Sequence, residues 1–230
     1  MCGRFVTPEQ AEAERNLWVA WPEYARSFNV APSQRVPVVR WSGQARQGLL
    51  MRWGLVPYFA HGVPPRYSTI NATLERLEDG PAWRGPWRRA QRCVLAAAGF
   101  YEWHVLPEGR KRPYYITCAD QPAFGFAGLW DRSLAEDGRE TLSCTLITLP
   151  ANALLRDIHN GGATPFRMPA ILAPADVEPW LVGSAAQARA ALKPYASELM
   201  LAHPVSTRVN SPKNDDPSLT QPVAADALPT

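Results

Sequence analysis

The sequence of 230 residues predicts an α+β fold, a single domain with a largely antiparallel, barrel-like β core and peripheral helices. Three observations carry that expectation. With 46% hydrophobic and 20% charged residues the chain can bury a sizeable core, which excludes disordered, collagen-like and small disulfide-stapled classes. Its β-rich runs, bounded by Gly, Pro or charged turns, outnumber its helical ones. The helical segments are too few for regular βαβ alternation, and no internal repeat or obvious linker divides residues 1–230.

Taken in order, Thr7-Pro8-Glu9-Gln10 reads as a capping box with Pro at the first helical position, predicting a helix through about Trp18. Strands follow at Val36–Trp41 and Leu49–Leu55, and a short helix at Asn71–Glu78. Further strands are expected at Arg92–Trp103, Pro113–Cys118, Phe124–Trp130, Leu142–Leu149 and Met168–Ala173. Helices are expected at Asn152–Ile158, Asp176–Leu181 and Ser184–Tyr195, the last opened by Ser184 and Gln187 at capping-box spacing. The stretch Ser211–Thr230, rich in Pro and Asp, is expected to be an extended tail.

Several function classes are excluded by what the chain lacks. No run approaches the roughly 18 apolar residues of a membrane span, and Met1-Cys2-Gly3-Arg4 lacks the apolar centre of a signal peptide, so a cytoplasmic chain with no membrane partner is expected. The four cysteines form no CxxC pair, and Cys93, Cys118 and Cys144 sit in apolar runs where a thiol acts as a small buried hydrophobe. Without a ligand cluster or a phosphate loop, neither a metal nor another cofactor is expected. The net charge of +3 is too small to mark a nucleic-acid binder, but 21 of the 24 cations are Arg, the better partner for phosphate. Genomic base composition produces the same bias.

Cys2 is different. Removal of Met1 would leave a 1,2-aminothiol whose amine and thiol, with ordinary pKa values of about 8 and 8.5, are both partly nucleophilic near neutrality. Such a pair condenses with an aldehyde to an imine, and the sulfur then closes a thiazolidine ring. Gly3 allows close backbone approach, and Arg4 falls on the same side as Cys2 in an extended segment. From the dipeptide alone, Cys2 reads more readily as an incidental residue of a frayed terminus than as a functional one.

The blocks MCGRF at the start, FNVAPS (Phe28–Ser33), RWGLVP (Arg52–Pro57), INA (Ile70–Ala72), AAGFYEW (Ala97–Trp103), AGLW (Ala127–Trp130), DIH (Asp157–His159), RMP (Arg167–Pro169) and HPVSTRVN (His203–Asn210) run in one order over nearly the whole chain. In that combination the sequence resembles the SOS-response-associated peptidase (SRAP) family. The resemblance implies a protein that captures abasic sites in single-stranded DNA through their exposed aldehyde, forming a DNA–protein cross-link with possible lyase activity. It implies Cys2, Asn71, Glu102 and His159 as catalytic residues. Arg4, Tyr58, Phe59, Trp103, Thr148 and Arg167 are expected to contact DNA, with the protein acting as a monomer.

Each assignment has a plainer alternative. Glu102, between Tyr101 and Trp103, gains a raised pKa if buried, yet a strand carboxylate usually faces water. His159 titrates near neutrality, and it also reads as a helix C-cap; Asn71 can hold the Cys2 amine or the sugar, and it also reads as an N-cap. The segment Ala82–Arg92 mixes Trp83 and Trp87 with four Arg, as single-strand binding and ordinary surface packing both do.

The chain departs from the family pattern in three places. Thr73 stands where the family commonly has a phosphate-binding Arg, Tyr58-Phe59 replaces a Trp-rich step, and Gly161–Phe166 is inserted between the IH and RMP blocks, which puts the placement of Arg167 in question. Two competing functions remain open at this point: an N-terminal-Cys peptidase or autoprotease, and a non-catalytic DNA-binding module.

Overall fold

The β-rich runs close into a barrel in the computed structural model, which describes residues 2–17 and 19–223. In chain order β1 (Arg4–Val6) and α1 (Gln10–Leu17) lead into β2 (Arg35–Trp41), β3 (Arg46–Trp53) and the short β4 (Asn71–Thr73). Next come α2 (Arg84–Arg88), β5 (Arg92–Ala97), β6 (Gly99–Val105), β7 (Lys111–Cys118), β8 (Phe124–Leu134) and β9 (Glu140–Pro150). The chain ends through α3 (Ala153–Ile158), β10 (Arg167–Pro169), β11 (Ile171–Leu172), α4 (Pro174–Val182), α5 (Ala185–Ala191) and β12 (Met200–Pro204).

Hydrogen-bonded neighbours run β2, β3, β9, β8, β5 and back to β2, a closed ring of five strands that leaves no barrel edge unpaired. Within the ring β3 lies parallel to β9, and the other four pairings are antiparallel. β4 adds to β9 in parallel, while β10 and β11 add antiparallel to β9 and β8. A second antiparallel sheet of four strands, β1-β6-β7-β12, continues from the barrel. The α+β, barrel-like core expected from the sequence is the observed one.

The run Arg92–Trp103, expected as one strand, is two. Ala98 donates its N–H to Val6 O at 2.9 Å, and there the chain leaves the barrel for the second sheet. An edge-to-face cluster pins this crossing: Phe5 meets Trp53 at 5.0 Å and Phe126 at 5.9 Å, and Phe126 meets Phe100 at 5.8 Å. All four rings are fully buried, each contributing roughly 2–3 kcal/mol through area alone. Cys93, Cys118 and Cys144 are free thiols buried in the core.

Other departures have local causes. The Thr7 hydroxyl accepts from Ser27 N–H at 2.7 Å instead of capping, so α1 begins at Gln10; Trp18 lies outside the described residues. The helix expected at Asn71–Glu78 is strand β4 followed by one 3-10 turn at Leu74–Arg76, because β9 offers Asn71–Thr73 a parallel partner. Asn152 caps α3 and Ser184 with Gln187 form the expected capping box, but α5 stops at Ala191, just before Pro194. The tail is not extended up to Val223: it folds through turns and a 3-10 helix at Pro217–Thr220 with Leu219 fully buried, while Asp215 accepts from Ser27 Oγ at 2.9 Å. Residues 224–230 lie outside the described residues. β1, α2 and β12 were not legible in the sequence. No helix among the described residues is long and apolar enough to cross a membrane.

Candidate active site

β1 lies against β6 with Arg4 opposite Tyr101 and Phe5 opposite Phe100, and this register brings Cys2 alongside Glu102 and Trp103. Cys2 is 1% exposed, and its Sγ–H points at Arg4 O, 3.6 Å away. A second strand holds it from the other side: Asn71 Nδ2 donates to Cys2 O at 2.9 Å. Asn71 is aimed there by its neighbours, since Ile70 O accepts from Trp53 Nε1 at 3.0 Å and from Leu146 N–H at 3.1 Å. The Oδ1 of Asn71 is buried without a partner, an acceptor held ready for a donor.

Glu102 faces inward, 2% exposed. Burial pushes its carboxyl up to about 7, only partly offset by the N-terminal ammonium charge and then by the Trp103 backbone N–H, and Oε1 has no partner. Burial, reinforced by the Glu102 charge, pushes the Cys2 thiol well above its ordinary value, so the resting sulfur is S–H. His159 caps the C-terminus of α3 and is also part of the site: its Nε2 lies 3.9 Å from Glu102 Oε2, and its Nδ1 meets the Arg167 backbone N–H at 3.1 Å. Burial lowers the imidazole to about 4. Between about pH 4 and 7, therefore, Glu102 is protonated and His159 neutral, and their approach is not an ion pair. All four residues expected to be catalytic converge here.

The site opens into a cleft of about 380 Å³ whose lining includes Glu102, Trp103, Lys111, His159, Gly161 and Asn210. Gly161–Phe166 does not separate His159 from Arg167. It leaves and returns as a closed excursion, with Phe166 N–H bonded to His159 O at 2.8 Å, and it is strapped to β6 by Asn160, whose Oδ1 accepts from Val105 N–H at 2.7 Å. Gly161 is required there, because a Cβ would stand 2.3 Å from Val105 Cγ2. Lys111 and Asn210 are parts of the cleft that sequence reasoning missed; nothing local marks them, since the topology brings them together.

The residues expected to face DNA are placed unequally. Tyr58 and Phe59 are exposed, and Trp103 is half-buried with Nε1 donating to Asn210 Oδ1 at 2.8 Å. Arg4 is turned into the protein, its guanidinium bonded to Asn29 Oδ1 at 3.0 Å, Val209 O at 2.9 Å and Asn210 O at 3.2 Å. Arg167 holds Glu75 with two bonds at 2.7 and 2.9 Å and Thr148 O at 2.7 Å. The Thr148 side chain is fully buried in β9 with its hydroxyl toward Ala72 O, so in this conformation it presents no side-chain surface to a strand outside. Among the described residues no group of three His, Cys, Asp or Glu is placed to hold a metal ion.

Comparison with known proteins adds to this geometry. The sequence model described as SOS response associated peptidase (SRAP) matches residues 1–212. The "Abasic site processing protein YoqW" of Bacillus subtilis is 35% identical over 229 residues, covering 96% of this chain and 99% of that protein. The "Abasic site processing protein HMCES" of Gallus gallus is 31% identical over 246 residues, covering 93% and 71%. A crystal structure of a Bacteroides thetaiotaomicron protein superposes with a TM-score of 0.75 at 30% identity, covering 86% of this chain and 85% of that one.

Proposed function

Because the chain belongs to the SOS response associated peptidase family, we propose that it processes abasic sites in DNA, capturing the open sugar aldehyde on Cys2 after removal of Met1. One observation carries the reading: Asn71, anchored in the barrel, holds Cys2 O at 2.9 Å and so keeps the thiol within the field of a carboxyl whose pKa is pushed up to about 7.

The amine adds to the aldehyde to give a carbinolamine. Glu102, still protonated below about pH 7, gives its proton to the departing hydroxyl, so that water leaves and an iminium ion forms. The resulting carboxylate takes the thiol proton as sulfur adds to the iminium carbon, closing the thiazolidine. One proton cycles through one carboxyl, and the products are the ring and one water. This explains why the resting thiol need not be ionised: its base appears only when the iminium does. Neutral His159, beside Glu102, passes the proton that opens the sugar ring. Loss of the proton on the carbon next to the iminium, followed by departure of the 3′ phosphate, is the lyase branch of the same intermediate.

The substrate is single-stranded, because a regular duplex hides the aldehyde between paired strands and, among the described residues, no α-helical residue lines the cleft. Arg167 would exchange Glu75 for a phosphate, while Arg4, held by Asn29, fixes the strand that carries Cys2. The test is incubation with a single-stranded oligonucleotide carrying one abasic site, followed by a heated denaturing gel. A heat-stable shifted band is expected, much weaker from the matched duplex. No adduct, with cleavage of a supplied peptide instead, would give the function to the peptidase reading.

A further inference from the structure

Asn29 does not line the reaction cleft; it is 1% exposed, and its side chain joins two segments that build the site. On one side Oδ1 accepts at 3.0 Å from Nη1 of Arg4, two residues beyond Cys2. On the other, Nδ2 shares its two hydrogens among three carbonyls of the C-terminal turn, Val209 O at 3.2 Å, Ser211 O at 3.0 Å and Asn214 O at 2.8 Å. Arg4 closes the triangle, donating to Val209 O at 2.9 Å and Asn210 O at 3.2 Å.

Both segments end in the cleft. Cys2 sits between two holds, Asn71 Nδ2 on its carbonyl and the Arg4 carbonyl against its thiol, so a shift of Arg4 moves the sulfur. Asn210 accepts from Trp103 Nε1 at 2.8 Å, and the two side chains line the cleft beside Glu102. The neighbours of Asn29 are tied to the same parts. Phe28 O accepts at 2.8 Å from the hydroxyl of Tyr101, next to Glu102 on β6, and Val30 N–H donates to Phe5 O at 2.9 Å. Asp215, at the far end of the turn, accepts from Ser27 Oγ at 2.9 Å.

We infer that Asn29 is a positioning residue for abasic capture, holding the Cys2 strand and the Asn210–Trp103 side of the cleft in one register. The inference rests on the capture reading above and adds to it a residue that touches neither substrate nor sulfur. An amide is the group that fits: this one buried point needs an acceptor for a guanidinium and donors for main-chain carbonyls, and Asn supplies both without a charge. A buried polar group with its partners in place fixes a single arrangement, and capture requires one, because amine and sulfur must reach the same carbon in turn. The hold is local. Cys93, Cys118 and Cys144 are buried in β5, β7 and β9, strands to which Asn29 makes no hydrogen bond among the described residues.

The experiment alkylates the folded full chain with iodoacetamide, follows each cysteine by peptide mass, and then measures single-turnover capture of a single-stranded abasic oligonucleotide over a range of concentrations. In Asn29→Ala, Cys2 should be alkylated on the order of tenfold faster than in wild type, while Cys93, Cys118 and Cys144 keep their wild-type rates. The maximal capture rate should fall on the order of tenfold, with the half-saturating concentration and the pH dependence unmoved. Asp215 is exposed and latches the same turn from outside, so Asp215→Ala should act in the same direction more weakly, and it decides the matter if Asn29→Ala does not fold. N29A/N210A should capture no more slowly than Asn29→Ala alone, because the hold on Trp103 acts through Asn29. Wild-type alkylation of Cys2 in both single variants would overturn the inference. So would equal acceleration at all four thiols, which would make Asn29 a support of the whole fold. Faster alkylation of Cys2 alone, in a protein whose wild type forms no adduct, would defeat the capture reading and leave the hold on Cys2 standing.

Discussion

The reaction cleft and the arginine-lined groove between the turn Tyr58–Ala60 and α2 are built on opposite principles. In the cleft, Cys2, Asn71, Glu102 and His159 are all less than a tenth exposed, and burial drives the carboxyl and imidazole toward their neutral forms. In the groove, Arg84, Arg88, Tyr58 and Phe59 face water. The difference is one of charge, which burial removes in the cleft and water preserves in the groove. Proton transfer at neutral pH needs a dry carboxyl whose pKa sits near the working pH, whereas holding a phosphate strand needs charges that stay charged and release counterions.

The largest break comes from the nucleophile. Cys2→Ala should abolish the heat-stable adduct, and Cys2→Ser should leave at most an imine that borohydride traps, because oxygen closes the ring less favourably; a tag blocking the N-terminal amine should act like Cys2→Ala. A heat-stable cross-link from Cys2→Ala would remove the thiol from the mechanism.

Next come the proton carriers. Glu102→Gln and His159→Ala should each slow single-turnover capture by about 10²-fold. The wild-type rate should fall as pH rises through about 7, where Glu102 loses its proton, and this limb should vanish in Glu102→Gln. A limb that persists would assign the titration elsewhere. Asn71→Ala acts only on the placement of Cys2 and should slow capture several-fold, without moving the pH profile.

The smallest effect is on stability. The folded pKa of Glu102, about 7, lies above its unfolded value, so folding favours the protonated carboxyl. The burial penalty is absent below the unfolded value near 4.5, grows between about 4.5 and 7, and levels off above 7 at on the order of 3 kcal/mol. Glu102→Gln should therefore raise the thermal midpoint at pH 8 relative to wild type more than at pH 5. An equal shift at both would mean that the carboxyl is not strained by burial.

What the sequence made legible follows the same division. The barrel strands announced themselves because β-branched runs such as Val36–Trp41 and Leu142–Leu149 carry their period locally, and Ser184 with Gln187 fixed a helix start for the same reason. β4 did not, because Asn71–Thr73 is a strand only by virtue of its partner β9. Cys2, Asn71, Glu102 and His159 were nameable from motif blocks, but their convergence needed β1, an element too short to read. Lys111 and Asn210 reach the cleft through long-range topology, and the Arg89–Asp131 pair spans 42 positions, so no local pattern points to either.

The most direct test of the account is the intact mass of the adduct formed with a single-stranded abasic oligonucleotide, followed by proteolysis and mapping of the linked peptide. The account predicts the chain without Met1 plus the oligonucleotide less one water, with the link on the peptide that begins at Cys2. An adduct that retains Met1, or a link at any other residue, would contradict it.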